Sequence, residues 1–142
     1  MNKTFFIAWV VTFVVWMLGG FVIHGTLLAD DYARVPHLFR PQPDMEPYFP
    51  LMLLARICAS GAFVWIYSRG VEAAPWVGQG LRYGLAVALL AIVPGYLIYY
   101  GVHPAPAELV LQQAIFDSLL MLVLGLVAAF VYGRQAKAVP GT

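Results

Sequence analysis

The segment FFIAWVVTFVVWMLGGFVIHGTLL, residues 5–28, decides the fold, because it is a long apolar run whose only ionisable side chain is His24. A helix needs about 20 mostly apolar residues to cross the hydrocarbon core of a bilayer. The run exceeds the roughly 7–15 apolar residues of a secretory signal, and no clear cleavage site follows it. We therefore interpret it as an uncleaved first membrane-spanning helix.

The composition of the whole chain agrees with a membrane location. Of its 142 residues, 62% are hydrophobic and 11% are charged, whereas an average soluble domain is about 45–50% apolar and about 25% charged. The net charge is +1. The sequence shows no stripe of basic residues that could follow the phosphate backbone of a nucleic acid. We expect the lipid bilayer as a partner and no nucleic acid.

Three further apolar segments are long enough to span. Prolines and glycines separate them, because a proline-rich stretch cannot continue a helix. The sequence thus predicts an all-α, four-helix transmembrane bundle in one domain. The predicted helices cover residues 5–28, 48–67, 81–102 and 107–132. Pro94-Gly95 predicts a kink in the third helix, and Gly80 with Gly84 predicts a close helix contact.

Lysine and arginine predict the orientation, since they favour the cytoplasmic side of a membrane. Under that rule both termini are cytoplasmic in a bacterial-type inner membrane, and the proline-rich connection after the first helix is external. One side carries Lys3, Arg69, Arg82, Arg134 and Lys137, and the other carries Arg34 and Arg40.

Two charged residues fall inside apolar segments. Arg56 lies in the second predicted helix and Asp117 in the fourth. A charge at the bilayer centre costs about 2.5–3.5 kcal/mol on insertion scales, so such residues tend to pair with one another. At about 1.5 Å per residue the two lie at similar depth. We predict an intramembrane ion pair between them.

Other polar residues fall at the same end of the bundle. Gln113 precedes Asp117 by four residues and shares its helical face, while His24 and Tyr96 lie near the ends of the first and third helices. We predict a polar cluster of these residues with the ion pair. It has three interpretations: a device that fixes helix register, a cavity for a small ligand or proton, or a charge that awaits a partner subunit. A metal or haem site is not expected, because no tight ligand spacing and no second facing histidine occur.

Three stretches resemble small four-helix inner-membrane proteins of bacteria that form domain-of-unknown-function families. They are Phe21-Val22-Ile23-His24-Gly25-Thr26-Leu27-Leu28, Ile66-Tyr67-Ser68-Arg69-Gly70-Val71-Glu72 and Gly80-Leu81-Arg82-Tyr83-Gly84-Leu85. The resemblance implies the architecture and no activity.

No nucleophile–base arrangement, phosphate loop or pair of catalytic carboxylates is visible, so nothing specific indicates an enzyme or a cofactor. The first functional hypothesis is a non-enzymatic accessory or assembly subunit of a larger membrane complex. The alternative is a small oligomeric transporter or ligand-binding membrane protein that uses the polar cluster, which lies in the external half of the bundle.

Overall fold

The computed structural model describes residues 3–138, with side chains for residues 3–134, and this part of the chain is helical without strands. Its longer helices are α1 (Lys3–Leu27, whose last five residues form a π-helical turn), α4 (Phe49–Arg69), α5 (Trp76–Val102) and α6 (Ala107–Ala138). Two short helices, α2 (Ala29–Arg34) and α3 (Gln42–Met45), lie in the first connection.

The four long helices confirm the predicted all-α transmembrane architecture. Within the described residues, four helical stretches are long and apolar enough to cross a membrane. Many large apolar side chains on them remain exposed, including Leu18, Phe21 and Leu90. In water such faces would be unusual, whereas lipid covers them without cost.

α1 and α6 form the centre of the bundle. α1 packs against both α4 and α6, and α6 also packs along α5, while α4 touches α6 only slightly. The buried side chains between them are small or apolar, such as Ala8, Val64 and Leu124. Trp9 joins α1 to α4 because its indole N–H donates to Ser60 Oγ at 3.1 Å and to the Ile57 carbonyl at 3.2 Å.

Glycines bring α5 and α6 into backbone contact. A Cβ atom at Gly80 would lie 2.7 Å from the Gly125 carbonyl oxygen, and one at Gly84 would lie 2.7 Å from Leu122 Cα. No side chain fits at these distances, so the small residues permit an approach that larger ones would block. The prediction that Gly80 and Gly84 make a close helix contact is confirmed, and their counterpart is Gly125.

The C-terminal half of α5, Val93–Val102, diverges from α6. Contacts with α6 are dense along Trp76–Val87 and sparse along Val93–Val102. Between these halves lies a π-helical turn, Ala88–Ile92, directly before Pro94. Both a π-helical turn and a proline interrupt the regular hydrogen-bond ladder of a helix, and such interruptions bend it. The expected irregularity near Pro94-Gly95 therefore begins one turn earlier.

The second connection is short because α5 begins earlier than the predicted residue 81. Trp76–Gly80 is helical despite its two glycines. The side chain of Gln79 holds the connection: its amide donates to the carbonyls of Glu72 and Ala74, and its oxygen accepts from the Glu72 N–H. Gly78 and Gly80 thus belong to the helix, and of the two only Gly80 meets α6, because a Cβ atom at Gly78 would have no described atom within 4 Å.

Candidate functional site

Asp117 of α6 is the centre of a network of polar side chains. Its Oδ1 lies 3.2 Å from Nε2 of His24 on α1, and its Oδ2 accepts a short hydrogen bond from the Tyr96 hydroxyl on α5. The Asp117 side chain is 14% exposed and the His24 side chain 29%. One carboxylate therefore connects three spanning helices.

The network continues from His24 toward the membrane surface. His24 Nδ1 lies 2.7 Å from the Tyr32 hydroxyl on α2, and the same hydroxyl accepts from Gln113 Nε2 at 2.9 Å. The π-helical turn that ends α1 is followed at once by α2, so the chain folds back and places Tyr32 above the bundle. We call His24, Tyr32, Tyr96, Gln113 and Asp117 the Asp117 network.

When Asp117 is ionised, the donors and acceptors of the Asp117 network fit the following arrangement of protons. An ionised carboxylate only accepts, so both Tyr96 and His24 Nε2 donate to Asp117. Gln113 donates to the Tyr32 oxygen, which leaves the Tyr32 hydroxyl proton free for His24 Nδ1. In this arrangement His24 is the neutral tautomer that carries its proton on Nε2.

The same side chains accommodate one more proton. Gln113 Oε1 is buried and has no hydrogen-bond partner in the described part of the chain. If His24 carries a second proton on Nδ1, that N–H donates to Tyr32. The Tyr32 hydroxyl then donates to Gln113 Oε1 once the amide turns over, since the oxygen and nitrogen of an amide occupy equivalent positions. The network therefore has two hydrogen-bond arrangements that differ by a single proton, and in each of them one atom of the Gln113 amide has no partner among the described residues.

The predicted ion pair between Arg56 and Asp117 is not formed, and this prediction was wrong. Among the described residues Arg56 has no carboxylate within 4.0 Å. Its guanidinium lies 5.2 Å from the centroid of the Trp16 ring, beside Gly20 of α1. Similar depth did not ensure contact, because α4 packs chiefly against α1 and touches α6 only slightly.

The other predicted cluster members do meet. His24, Tyr96, Gln113 and Asp117 share the Asp117 network. Sequence reasoning missed Tyr32, which lies in the connection after the first predicted helix. Burial raises the pKa of Tyr32 above its ordinary value, although the Gln113 hydrogen bond opposes the increase. An aromatic residue a few positions beyond a helix end was the available signal, since Tyr often anchors at a membrane interface.

Metal ligation finds no support in the described part of the chain. Within it, no group of three or more His, Cys, Asp or Glu side chains is close enough to hold a metal ion. The Asp117 network offers one carboxylate and one imidazole, and tyrosines and an amide complete it. Its described side chains are joined by hydrogen bonds.

In comparisons with known proteins, no family model, no curated protein and no solved structure matches this chain. The resemblance to small four-helix bacterial inner-membrane proteins therefore stays a prediction.

Proposed function

We propose that this chain is a small ligand-binding or transport protein of the membrane, with the Asp117 network as its site and a proton as one of its ligands. The observation that carries the proposal is the bonding of Asp117 to both His24 and Tyr96 within the membrane-spanning region. Ionisable residues at such positions are costly and commonly mark ion paths or proton relays.

The groups that face His24 support proton coupling. They are Asp117 of α6 and Tyr32 of α2, which contact its two ring nitrogens. Tyr96 of α5 donates to the same Asp117 carboxylate, and Arg56 of α4 lies beside Gly20 of α1. Histidine is the residue type that gains and loses a proton near neutral pH. Uptake of a proton here changes the Tyr32 and Gln113 hydrogen bonds, so a polar solute that contacts either side chain would be coupled to the proton.

The test uses liposomes that contain the purified protein and a pH-sensitive dye. Amines, carboxylic acids and neutral polar solutes are added outside one class at a time, and the internal pH is recorded. We expect one class to move protons with the wild-type protein and not with Asp117→Asn or His24→Gln. Glu108→Gln is the matched control, because Glu108 is an exposed carboxylate on the same helix outside the network. Proton movement that persists in Asp117→Asn would refute the proposal.

A second candidate function is an accessory or assembly subunit of a larger membrane complex. The observation in its favour is Arg56, a half-buried arginine in the middle of α4 that has no carboxylate within 4.0 Å in the described structure. Arginines at membrane depth usually pair, and an acidic side chain of a neighbouring subunit would supply the pair. Large apolar side chains such as Leu53 and Leu54 are exposed on the same helix.

Co-purification separates this candidate from the first. The tagged protein is extracted in native lipid particles, and its companions are identified by mass spectrometry. A stoichiometric partner that Arg56→Gln releases would support the subunit role. Arg40→Gln, an exposed arginine in the first connection, is the control. A homo-oligomer without companions would count against this role.

The proposal places the protein in the inner (plasma) membrane of a bacterial-type cell with both termini cytoplasmic. The distribution of lysine and arginine supports this orientation. Cys58 is the single cysteine, so Cys58→Ser gives a background for single-cysteine labelling. An impermeant maleimide should label Asp44→Cys in intact cells and leave Glu72→Cys unlabelled. The reverse pattern would invert the topology.

A further inference from the structure

A groove between α5 and α6 opens toward the surrounding lipid. Its volume is about 620 Å³, which lies within the roughly 300–1,000 Å³ of ordinary ligand sites. The walls are apolar except for Tyr96, Tyr100 and Ser118. Small side chains at Ala88, Ala107 and Ala114 leave the space along its length.

The backbone of α5 explains why the groove exists. The contacts of Gly80 and Gly84 hold α5 against α6 at one end. The π-helical turn Ala88–Ile92 and Pro94 then direct the rest of α5 away from α6. A wedge results that is closed at the glycines and open toward the turn at residues 103–106. It is thus a built feature of the two helices.

The groove is longer than the hydrocarbon layer of one leaflet. Along α6 its lining extends from Ala107 to Leu122, which is about 22 Å at roughly 1.5 Å per residue. The hydrocarbon core of a bilayer is about 30 Å thick, so one leaflet contributes about 15 Å. The groove therefore begins at the membrane surface where α6 starts and extends past the bilayer midplane. A chain of a lipid in that leaflet has the direction and the length to lie in it.

We propose that the groove between α5 and α6 binds a single hydrocarbon chain of a membrane lipid, whose headgroup lies beside the turn at residues 103–106. The rims that flank the groove, Leu97, Leu111 and Ile115, are exposed and continue the lipid-facing surface. An apolar space of this size is dry if it is empty, and a lipid chain restores the dispersion contacts that its walls lack.

Tyr96 links this groove to the Asp117 network. Its ring forms part of the groove wall, and its hydroxyl donates to Asp117. A bound chain packs against that ring and holds it in place. The lipid site stands on the shape of α5 and α6, so it does not depend on the function proposed for the network.

Native mass spectrometry of the protein in mild detergent tests the proposal. The wild-type protein should retain one lipid, and Ala114→Trp, which fills the groove, should lose it. Ala86→Trp is the matched control, because Ala86 is an exposed residue of α5 that lies outside the π-helical turn and does not line the groove. Equal retention by both variants, or no retained lipid on the wild-type protein, would overturn the proposal.

A second measurement needs no variant. Liposomes are made with a phospholipid that carries a photoactivatable group on one acyl chain, and the labelled peptides are mapped after irradiation. We expect the label to concentrate on residues 85–100 and 107–122. The exposed face of α4 at Leu51–Leu54 is the internal reference. Labelling of that face as strongly as the groove would show ordinary solvation by lipid and reject the site.

Discussion

Gly84→Ala offers a sharp test of the packing that shapes the groove. A Cβ atom at this position would lie 2.7 Å from Leu122 Cα, whereas ordinary contacts begin near 3.4 Å. The obstacle is backbone, which cannot turn aside as a flexible side chain can. The two helices must therefore separate by about 0.7 Å or more at their closest point, with loss of dispersion contacts on both sides.

The change in the free energy of unfolding of Gly84→Ala follows from two opposing contributions. Overpacking typically costs about 1–3 kcal/mol, and a rigid backbone obstacle favours the upper end. Alanine in place of glycine returns about 1 kcal/mol of helix propensity. We expect Gly84→Ala to lower the free energy of unfolding by about 2 kcal/mol net.

Gly95→Ala on the same helix is the matched control. A Cβ atom there meets nothing within 4 Å, so this variant should show the propensity gain alone and no loss of stability. Both variants are unfolded from mixed micelles by titration with a denaturing detergent, followed by circular dichroism. If Gly84→Ala were as stable as Gly95→Ala, the backbone contact between α5 and α6 would not exist as described.

Three further predictions concern ionisable and polar side chains. Because burial raises the pKa of Tyr32, its contribution to stability is present below about pH 10 and declines above it. In thermal melts between pH 9 and 11, the melting temperature should therefore fall with pH, and Tyr32→Phe should remove the part of that fall that Tyr32 causes. Gln79→Leu should open the second connection to protease, since it removes three hydrogen bonds. A double variant that exchanges Arg56 and Asp117 should yield no more folded protein than either single variant, measured as detergent-extracted yield. A higher yield from the double variant would show that the two residues form a direct ion pair.

Much of the fold was predictable because a helix that crosses a lipid bilayer must be apolar over about 20 residues. Uninterrupted apolar length places the four spans within a few residues, and the glycine spacing at Gly80 and Gly84 predicts a close contact. The start of α5 was harder to predict, since Gly78 and Gly80 are typical of loops. In the structure both glycines are helical, and the missing side chain of Gly80 permits the close contact with Gly125 of α6, which the sequence of α5 alone could not reveal.

The Asp117 network was predictable only in part. Depth along each helix follows from counting residues, so Gln113 and His24 could be placed near Asp117. Rotation about each helix axis depends on how its neighbours pack, and this rotation decides that His24 rather than Arg56 reaches the carboxylate. Tyr32 joins through the reversal of the chain after α1, a tertiary feature that leaves no periodic pattern.

The central position of α6 has a consequence for biogenesis. Helices leave the ribosome in chain order, so α1, α4 and α5 are all made before the helix that α1 and α5 both pack against. Until α6 enters the membrane, His24 and Tyr96 lack the carboxylate they share, and the glycine face of α5 has no counterpart. Insertion of α6 therefore completes the network and the groove in one step, and a nascent chain arrested before it would hold His24 and Tyr96 in the membrane without the carboxylate that bonds them.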